Sequence, residues 1–282
     1  MRYSFKEFHF TSEQLKVTAP EKKENALTRI NNSLNILCLA LTFHISLGLS
    51  ARKTAFALRN VFSLKVSYQT ILNYCELAAY YCHQFNLAYK GDAEAIQAGD
   101  ESCIKVFGEK NYGFFFIAPK GRMITAYQIA SNKDTLPATV AMREALRTVP
   151  EEKKAVVFIT DGNPSYQSAI HFLNQNQTLT INHKPVIGLQ NLDSASEEFR
   201  PFKQLIERLF RTYKFHIKAA YGFKDFNGAV ALTVLFVTHY NFLRPHYALN
   251  YEVPCPLKAL AGIETLQGKW AKVLELATSL AA

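Results

Sequence analysis

Several features that would narrow the function are missing from this sequence. Its five cysteines, Cys38, Cys75, Cys82, Cys103 and Cys255, are scattered, odd in number and without a C-x-x-C pair. That argues against a disulfide framework and a zinc ribbon, and it fits a reducing compartment. No apolar run reaches the roughly 20 residues that a membrane span needs. The longest, Leu34 to Leu49, is interrupted by Asn35, Thr42, His44 and Ser46. Residues 1–24 carry mixed charge with no apolar centre, so no secretory signal is expected there. Internal repeats and low-complexity tracts are absent too. A soluble, cytoplasmic protein without membrane contact is the expectation.

Acidic charge is also in deficit. Against 23 Asp and Glu stand 32 Lys and Arg, a net charge of +9, so a polyanion such as nucleic acid is the natural partner. With 282 residues, 49% of them hydrophobic, the chain can build one large domain and a smaller one.

The pattern changes along the chain. Residues 1–25 are polar, carry the charge run Glu21-Lys22-Lys23-Glu24, and read as a flexible lead-in. Leu34, Leu37, Cys38, Leu41 and Ile45 then recur at helical spacing. Gly48 closes that helix and Ser50 can cap the next, with Ala51, Ala55 and Leu58 inward and Arg52, Lys53 and Arg59 outward. A third helix starts at Ser67 and places Ile71, Cys75, Ala78 and Cys82 on one face. Three such helices over 26–90 suit a helix-turn-helix domain whose last member offers Tyr68, Gln69, Thr70 and Asn73 to base edges. An ordinary three-helix packing module would show the same pattern.

Beyond Tyr89 the periodicity shortens. Ser102–Phe107, Tyr112–Ala118 and Met123–Ala130 are β-rich runs separated by Gly108-Glu109-Lys110-Asn111 and Pro119-Lys120-Gly121-Arg122, which predict an antiparallel meander. Asp100 leads into its first strand. A helix follows over about 135–148, then the wholly apolar strand Ala155–Thr160, a helix over 164–174, and a short strand near 179–181. The apolar strand implies a sheet covered on both faces. A turn-rich segment over about 182–196 precedes a long helix with the stripe Phe202, Leu205, Ile206, Leu209, Phe210, Tyr213 and Ile217. Lys203, Glu207, Arg211, Lys214 and Lys218 occupy its other side. A last core helix spans about 224–242, and a short helical tail ends the chain over 258–282.

Three acidic residues stand where this order would bring them together. Asp161 follows the apolar strand, at the carboxyl end where open α/β sheets bind ligands. Asp100 opens the first strand, with Glu101 beside it as a rival. Glu207 projects from the long helix. Each has an ordinary explanation: Asp161 can serve its turn, and Glu207 can pair with Arg211 at i+4, worth about 0.2–0.5 kcal/mol. The basic residues around Glu207 can equally be a solvated face.

The motifs carry a resemblance. Asp100-Glu101-Ser102 with Ile104-Lys105-Val106-Phe107-Gly108, Thr160-Asp161-Gly162 with Tyr166, Ile206-Glu207-Arg208 with Phe210-Arg211 and Lys214, and Tyr240-Asn241-Phe242 with Arg244-Pro245-His246 resemble the catalytic domain of DDE-class insertion-sequence transposases. The likeness spans about 96–257. Leu47-Gly48-Leu49-Ser50 with Arg52-Lys53, and Val66-Ser67 with Thr70-Ile71, resemble the helix-turn-helix that precedes it. This implies an α/β, RNase H-like mixed five-stranded sheet flanked by helices, preceded by a small all-α helix-turn-helix domain.

It also implies metal-dependent DNA cleavage at element ends and transfer of the 3′-OH into target DNA. Asp100, Asp161 and Glu207 would hold two Mg²⁺ or Mn²⁺ ions, since hard oxygen ligands suit both. Lys203, Arg211, Lys214, Lys218, Arg244 and His246 would meet phosphates of double-stranded DNA, and Arg52, Lys53, Tyr68, Gln69, Thr70 and Asn73 the terminal repeat. A homo-oligomer, nucleoid-associated in a prokaryote, is implied as well. A catalytically inactive, transposase-derived DNA-binding protein is the alternative, and a metal-dependent nuclease without strand transfer a third. The sequence departs from the family pattern at Ala98-Gly99, where an aromatic often precedes the first Asp, and at Ala118-Pro119, where an Asp is frequent.

Overall fold

The computed structural model describes residues 7–22, 33–176, 178–186, 197–220 and 222–280. Five strands form its centre: β1 (Ile96–Val106), β2 (Glu109–Ile117), β3 (Ile124–Ala130), β4 (Ala155–Thr160) and β5 (Thr180–Pro185). Their spatial order is β3-β2-β1-β4-β5. The first three pair antiparallel, while β4 runs parallel to β1 and β5 parallel to β4. This is the mixed, RNase H-like sheet that the sequence implies.

β1 begins earlier than the sequence suggests, so Asp100 lies within the strand and does not merely lead into it. Gly99, Asp100 and Glu101 are poor strand formers. Pairing with β2 overrides that preference, with Gly99, Asp100 and Glu101 opposite Phe116, Phe115 and Phe114, just past Ala98, which pairs with both Ile117 in β2 and Ile159 in β4. β5 likewise runs on to Pro185, into the turn-rich segment, and residues 187–196 of that segment lie outside the described residues.

Helices cover both faces. On one, α4 (Thr135–Leu146) and α5 (Pro164–Asn176) bury Phe114, Phe116, Phe158 and Tyr166. Proline at the first position of α5 costs no hydrogen bond, because that N–H has no helical partner. On the other face, α6 (Arg200–Ala220) and α7 (Phe226–Thr238) pack with Phe115, Ile117, Tyr213 and Phe236. The α6 stripe follows the predicted spacing, and His216 joins Leu205, Ile206, Leu209, Phe210 and Tyr213 in the interior. Asp225 caps α7 by accepting from the Gly228 N–H at 2.6 Å. The stretch Phe226–Leu249 is apolar and long enough to cross a membrane, but its most apolar part is largely buried inside the protein, as a core helix would be.

The N-terminal helices are α1 (Leu34–Leu41), α2 (Ala51–Phe62) and α3 (Tyr68–Ala88). A π-helical turn, Thr42–Ser46, extends α1. Gly48 then adopts φ 68°, a left-handed conformation that glycine enters without strain. Ser50 and Ser67 cap α2 and α3 as their positions predict, accepting from Lys53 N at 3.3 Å and Thr70 N at 3.0 Å. α3 has 21 residues and so is about 31 Å long. It packs along α7, and His83 and Asn86 near its end bond Tyr127 and Thr238 of the core. The C-terminal helix α8 (Leu266–Ser279) packs on α1 and α3.

Residues 7–22, expected to be a loose lead-in, have little regular structure but lie against the sheet domain. Phe10 meets the ring of Phe172 at 5.0 Å, and Thr18 N–H donates to Gln128 Oε1 at 2.8 Å.

Candidate active site

Parallel pairing of Ala98 with Ile159 sets the site. Two residues further along each strand stand Asp100 and Asp161, so the register brings the two carboxylates level at the carboxyl end of β4. Asp161 is fixed by an Asx turn: its Oδ1 accepts from Asn163 N at 3.1 Å, just where α5 begins.

Asp100 faces α6, and its carboxylate is paired with the Lys203 ammonium. Only 14% of the Asp100 side chain is exposed, and 11% of that of Lys203. Burial pushes the Asp100 carboxyl up to about 6; Lys203 pulls it down, while Asp161 and Glu101 add to the rise. Glu101 points to the opposite face. There Tyr166 donates its hydroxyl to Glu101 Oε2 at 2.7 Å, Asn163 donates to Oε1 at 3.2 Å, and Lys133 lies 3.7 Å away. Burial raises the Tyr166 phenol well above its usual range, which keeps it a donor.

Asp100, Glu101 and Asp161 each offer a carboxylate oxygen, and these oxygens lie within 4.8 Å of one another. Glu101, a bare rival in the sequence, is therefore part of the constellation. Adjacent strand residues point to opposite faces. Both reach Asp161 because it lies just past the last paired residue of β4. Hard, half-buried carboxylates at this spacing suit a divalent cation such as Mg²⁺ or Mn²⁺. The seat draws positive charge already, since an ammonium from α6 enters it. The Ser102 hydroxyl, two residues beyond Asp100, is buried without a hydrogen-bond partner among the described residues.

Glu207 stands outside this group of three. It is half-buried on α6, one turn beyond Lys203 and on the same side of the helix. Farther along, Arg211, Lys214 and Lys218 are exposed. Arg244 stacks over Tyr240, 5.7 Å from its centroid, and His246 meets the same ring at 4.5 Å. Burial lowers His246 to about 4, so near neutral pH it is a neutral donor or acceptor and not a cation.

In the N-terminal helices, Arg52 of α2 lies over the Tyr68 ring of α3 at 4.8 Å. Lys53, Gln69 and Asn73 are exposed around it, and Gln69 donates to Asn73 at 3.1 Å. Thr70 is partly withdrawn, its hydroxyl 2.8 Å from Ser67 Oγ.

The departure at Ala98-Gly99 has a structural counterpart. Gly99 pairs with Phe116 across the sheet, and a Cβ on Gly99 would sit 2.1 Å from the Phe116 ring. The neighbouring strand thus places an aromatic ring beside the residue that precedes Asp100.

Residues 96–231 match the family model for the DDE domain (DDE_Tnp_IS240). No curated protein matches the chain. Among solved structures, the magnesium-bound catalytic core domain of HTLV-2 integrase is similar at 13% identity and a TM-score of 0.37, covering 58% of this chain and 95% of that one. The simian T-cell lymphotropic virus intasome is similar at 13% identity and a TM-score of 0.35, covering 73% of this chain and 70% of that one. For the Mos1 strand transfer complex the values are 11%, 0.33, 93% and 79%. Strand order, the placement of Asp100 and Asp161, and the matched segment agree: residues 96–231 of this chain are similar to the DDE domain.

Proposed function

We propose that this protein cuts DNA at the ends of a mobile element and joins the freed 3′-OH to target DNA. The observation that carries the reading is the set of carboxylate oxygens of Asp100, Glu101 and Asp161, within 4.8 Å of one another inside the DDE segment. Asp100 and Asp161 would hold Mg²⁺ or Mn²⁺, with Glu207 contributed by α6. Bound there, two such ions would supply Lewis-acid stabilisation to both the attacking and the leaving oxygen of an in-line displacement.

The chain's own residues do the rest. The Asx turn at Asn163 holds Asp161, and Tyr166 with Asn163 orients Glu101, so the carboxylates are positioned before DNA arrives. The exposed Arg211, Lys214 and Lys218 continue the same helix as a phosphate-binding edge. Arg52, Lys53, Tyr68, Gln69, Thr70 and Asn73, at the α2–α3 end, would read the terminal repeat in the major groove of double-stranded DNA. Joining two ends calls for a homo-oligomer, and a nucleoid location follows from the substrate.

Cleavage and joining of labelled duplexes bearing the element's own ends test this reading, with Mg²⁺ or EDTA, wild type against Asp161→Asn. Metal-dependent products that vanish in Asp161→Asn while DNA binding persists are expected. Binding with no products from the wild type would leave a DNA-binding protein in place of an enzyme.

A further inference from the structure

Three half-buried carboxylates this close repel one another, and an unpaired buried charge is costly. The chain answers with two lysines, which differ in kind. Lys133 approaches Glu101 from solvent with 55% of its side chain exposed, whereas Lys203 enters from α6 with 11% exposed and pairs directly with Asp100. Lys203 is one turn before Glu207. The helix that carries a candidate metal ligand thus also carries a cation seated on another.

We infer that Lys203 is an internal counter-ion for the metal-free site: its ammonium holds the Asp100 oxygen that a divalent ion would need, so metal binding and the Lys203–Asp100 pair exclude each other. This rests on the metal-dependent reading above. While it is formed, the pair stabilises the carboxylates and ties α6 to β1. Once a divalent ion neutralises Asp100, the ammonium is released on the same side of α6 as Glu207 and Arg211, toward the edge where DNA phosphates would lie. Lys203 is then a positioning residue that sets how tightly the site binds metal. If the pair forms about nine-tenths of the time, it weakens apparent metal affinity about tenfold.

The test uses the full-length protein without DNA. Free Mn²⁺ is titrated by its EPR signal into wild type, Lys203→Met, Lys203→Arg, Lys133→Met and Asp161→Asn, and each is melted in EDTA. Lys203→Met should melt lower in EDTA yet bind Mn²⁺ about tenfold more tightly, because the competent state is no longer blocked. Lys203→Arg, which keeps the charge, should stay nearer to wild type. Lys133→Met removes the same charge from the rim, and its affinity should change less than that of Lys203→Met. Unchanged or weaker binding in Lys203→Met, or an equal gain in Lys133→Met, would overturn the inference while leaving the metal site standing. Failure of the wild type to bind Mn²⁺ would sink the metal-dependent reading, and this inference with it.

Discussion

Phe116 lays its ring across the backbone of Gly99, the residue immediately before Asp100, and is itself held at ring distances of 5.0 Å from Phe158 and 6.3 Å from Tyr166. The ring cannot retreat, because it is fully buried. Gly99→Ala should therefore overpack this point and destabilise the protein by about 1–3 kcal/mol. Urea unfolding measures the loss. In a Phe116→Leu background the same change should cost less, and a fully additive double mutant would show that Phe116 is not the obstacle.

Glu101 and Glu207 are predicted to separate in their effects. Glu101 is bonded by Tyr166 and Asn163 and supports the β4–α5 turn, so Tyr166→Phe should destabilise by about 1–2 kcal/mol through the bond it removes from a buried carboxylate. Glu207 is the ligand that the proposed function draws from α6. Glu207→Gln should lower DNA cleavage by at least about 100-fold with little change in urea stability, the loss expected of transition-state electrostatics. If Glu207→Gln cuts at the wild-type rate and Glu101→Gln does not, Glu101 is the third carboxylate.

Much of the fold is legible in the sequence. Turn residues mark both hairpins, apolar continuity marks β4, and the α6 stripe marks its buried face, because these signals are local. What stays hidden depends on partners far away along the chain. Strand character at Gly99-Asp100-Glu101 comes from pairing with Phe116, Phe115 and Phe114 of β2, against the preference of the residues themselves. Lys203 reads as one more cation of a solvated face until the fold brings Asp100 to it. Glu101 reads as an alternative to Asp100, whereas the end of β4 lets both approach Asp161.

Acid should weaken the fold. Burial lowers His83, His216 and His246 to about 4 and His239 to about 3, and it lowers His44 as well. His216 and His239 lie 6.3 Å apart, so protonating one disfavours the other. These groups stay neutral in the native state, while the unfolded chain takes up protons near pH 6.5. Their stability contribution is complete above about 6.5 and is lost as pH falls from there toward 4, at up to about 1.4 kcal/mol per pH unit for each histidine. Asp100 has the opposite sign: its folded value is raised, so its contribution is lost as pH rises through about 6. His183 is lowered as well, and six histidines outweigh one carboxyl. Urea midpoints at pH 7.5 and 5.5 should fall with acid, and less so in His239→Leu; equal midpoints would refute the sign.

The chain's one tryptophan, Trp270, gives a direct readout of how α8 is held. Its side chain is fully buried between α1 and α3, and its Nε1–H donates to Ser46 Oγ at 3.0 Å, joining the C-terminal helix to the π-helical turn after α1. Because α3 runs on from that module into the core, beside α7, loosening α8 should be felt in the sheet domain. Trp270→Ala should cost about 3–5 kcal/mol through lost burial and a cavity. Trp270→Phe fills most of the space and should cost about 1 kcal/mol, the value of one hydrogen bond whose other partner, Ser46, is only half-buried. Wild-type unfolding followed by tryptophan emission and by far-ultraviolet circular dichroism should give one midpoint, as a cooperative unit does. An emission shift at lower urea than the loss of helix would mean that α8 detaches first, and that the N-terminal helices do not depend on it for their fold.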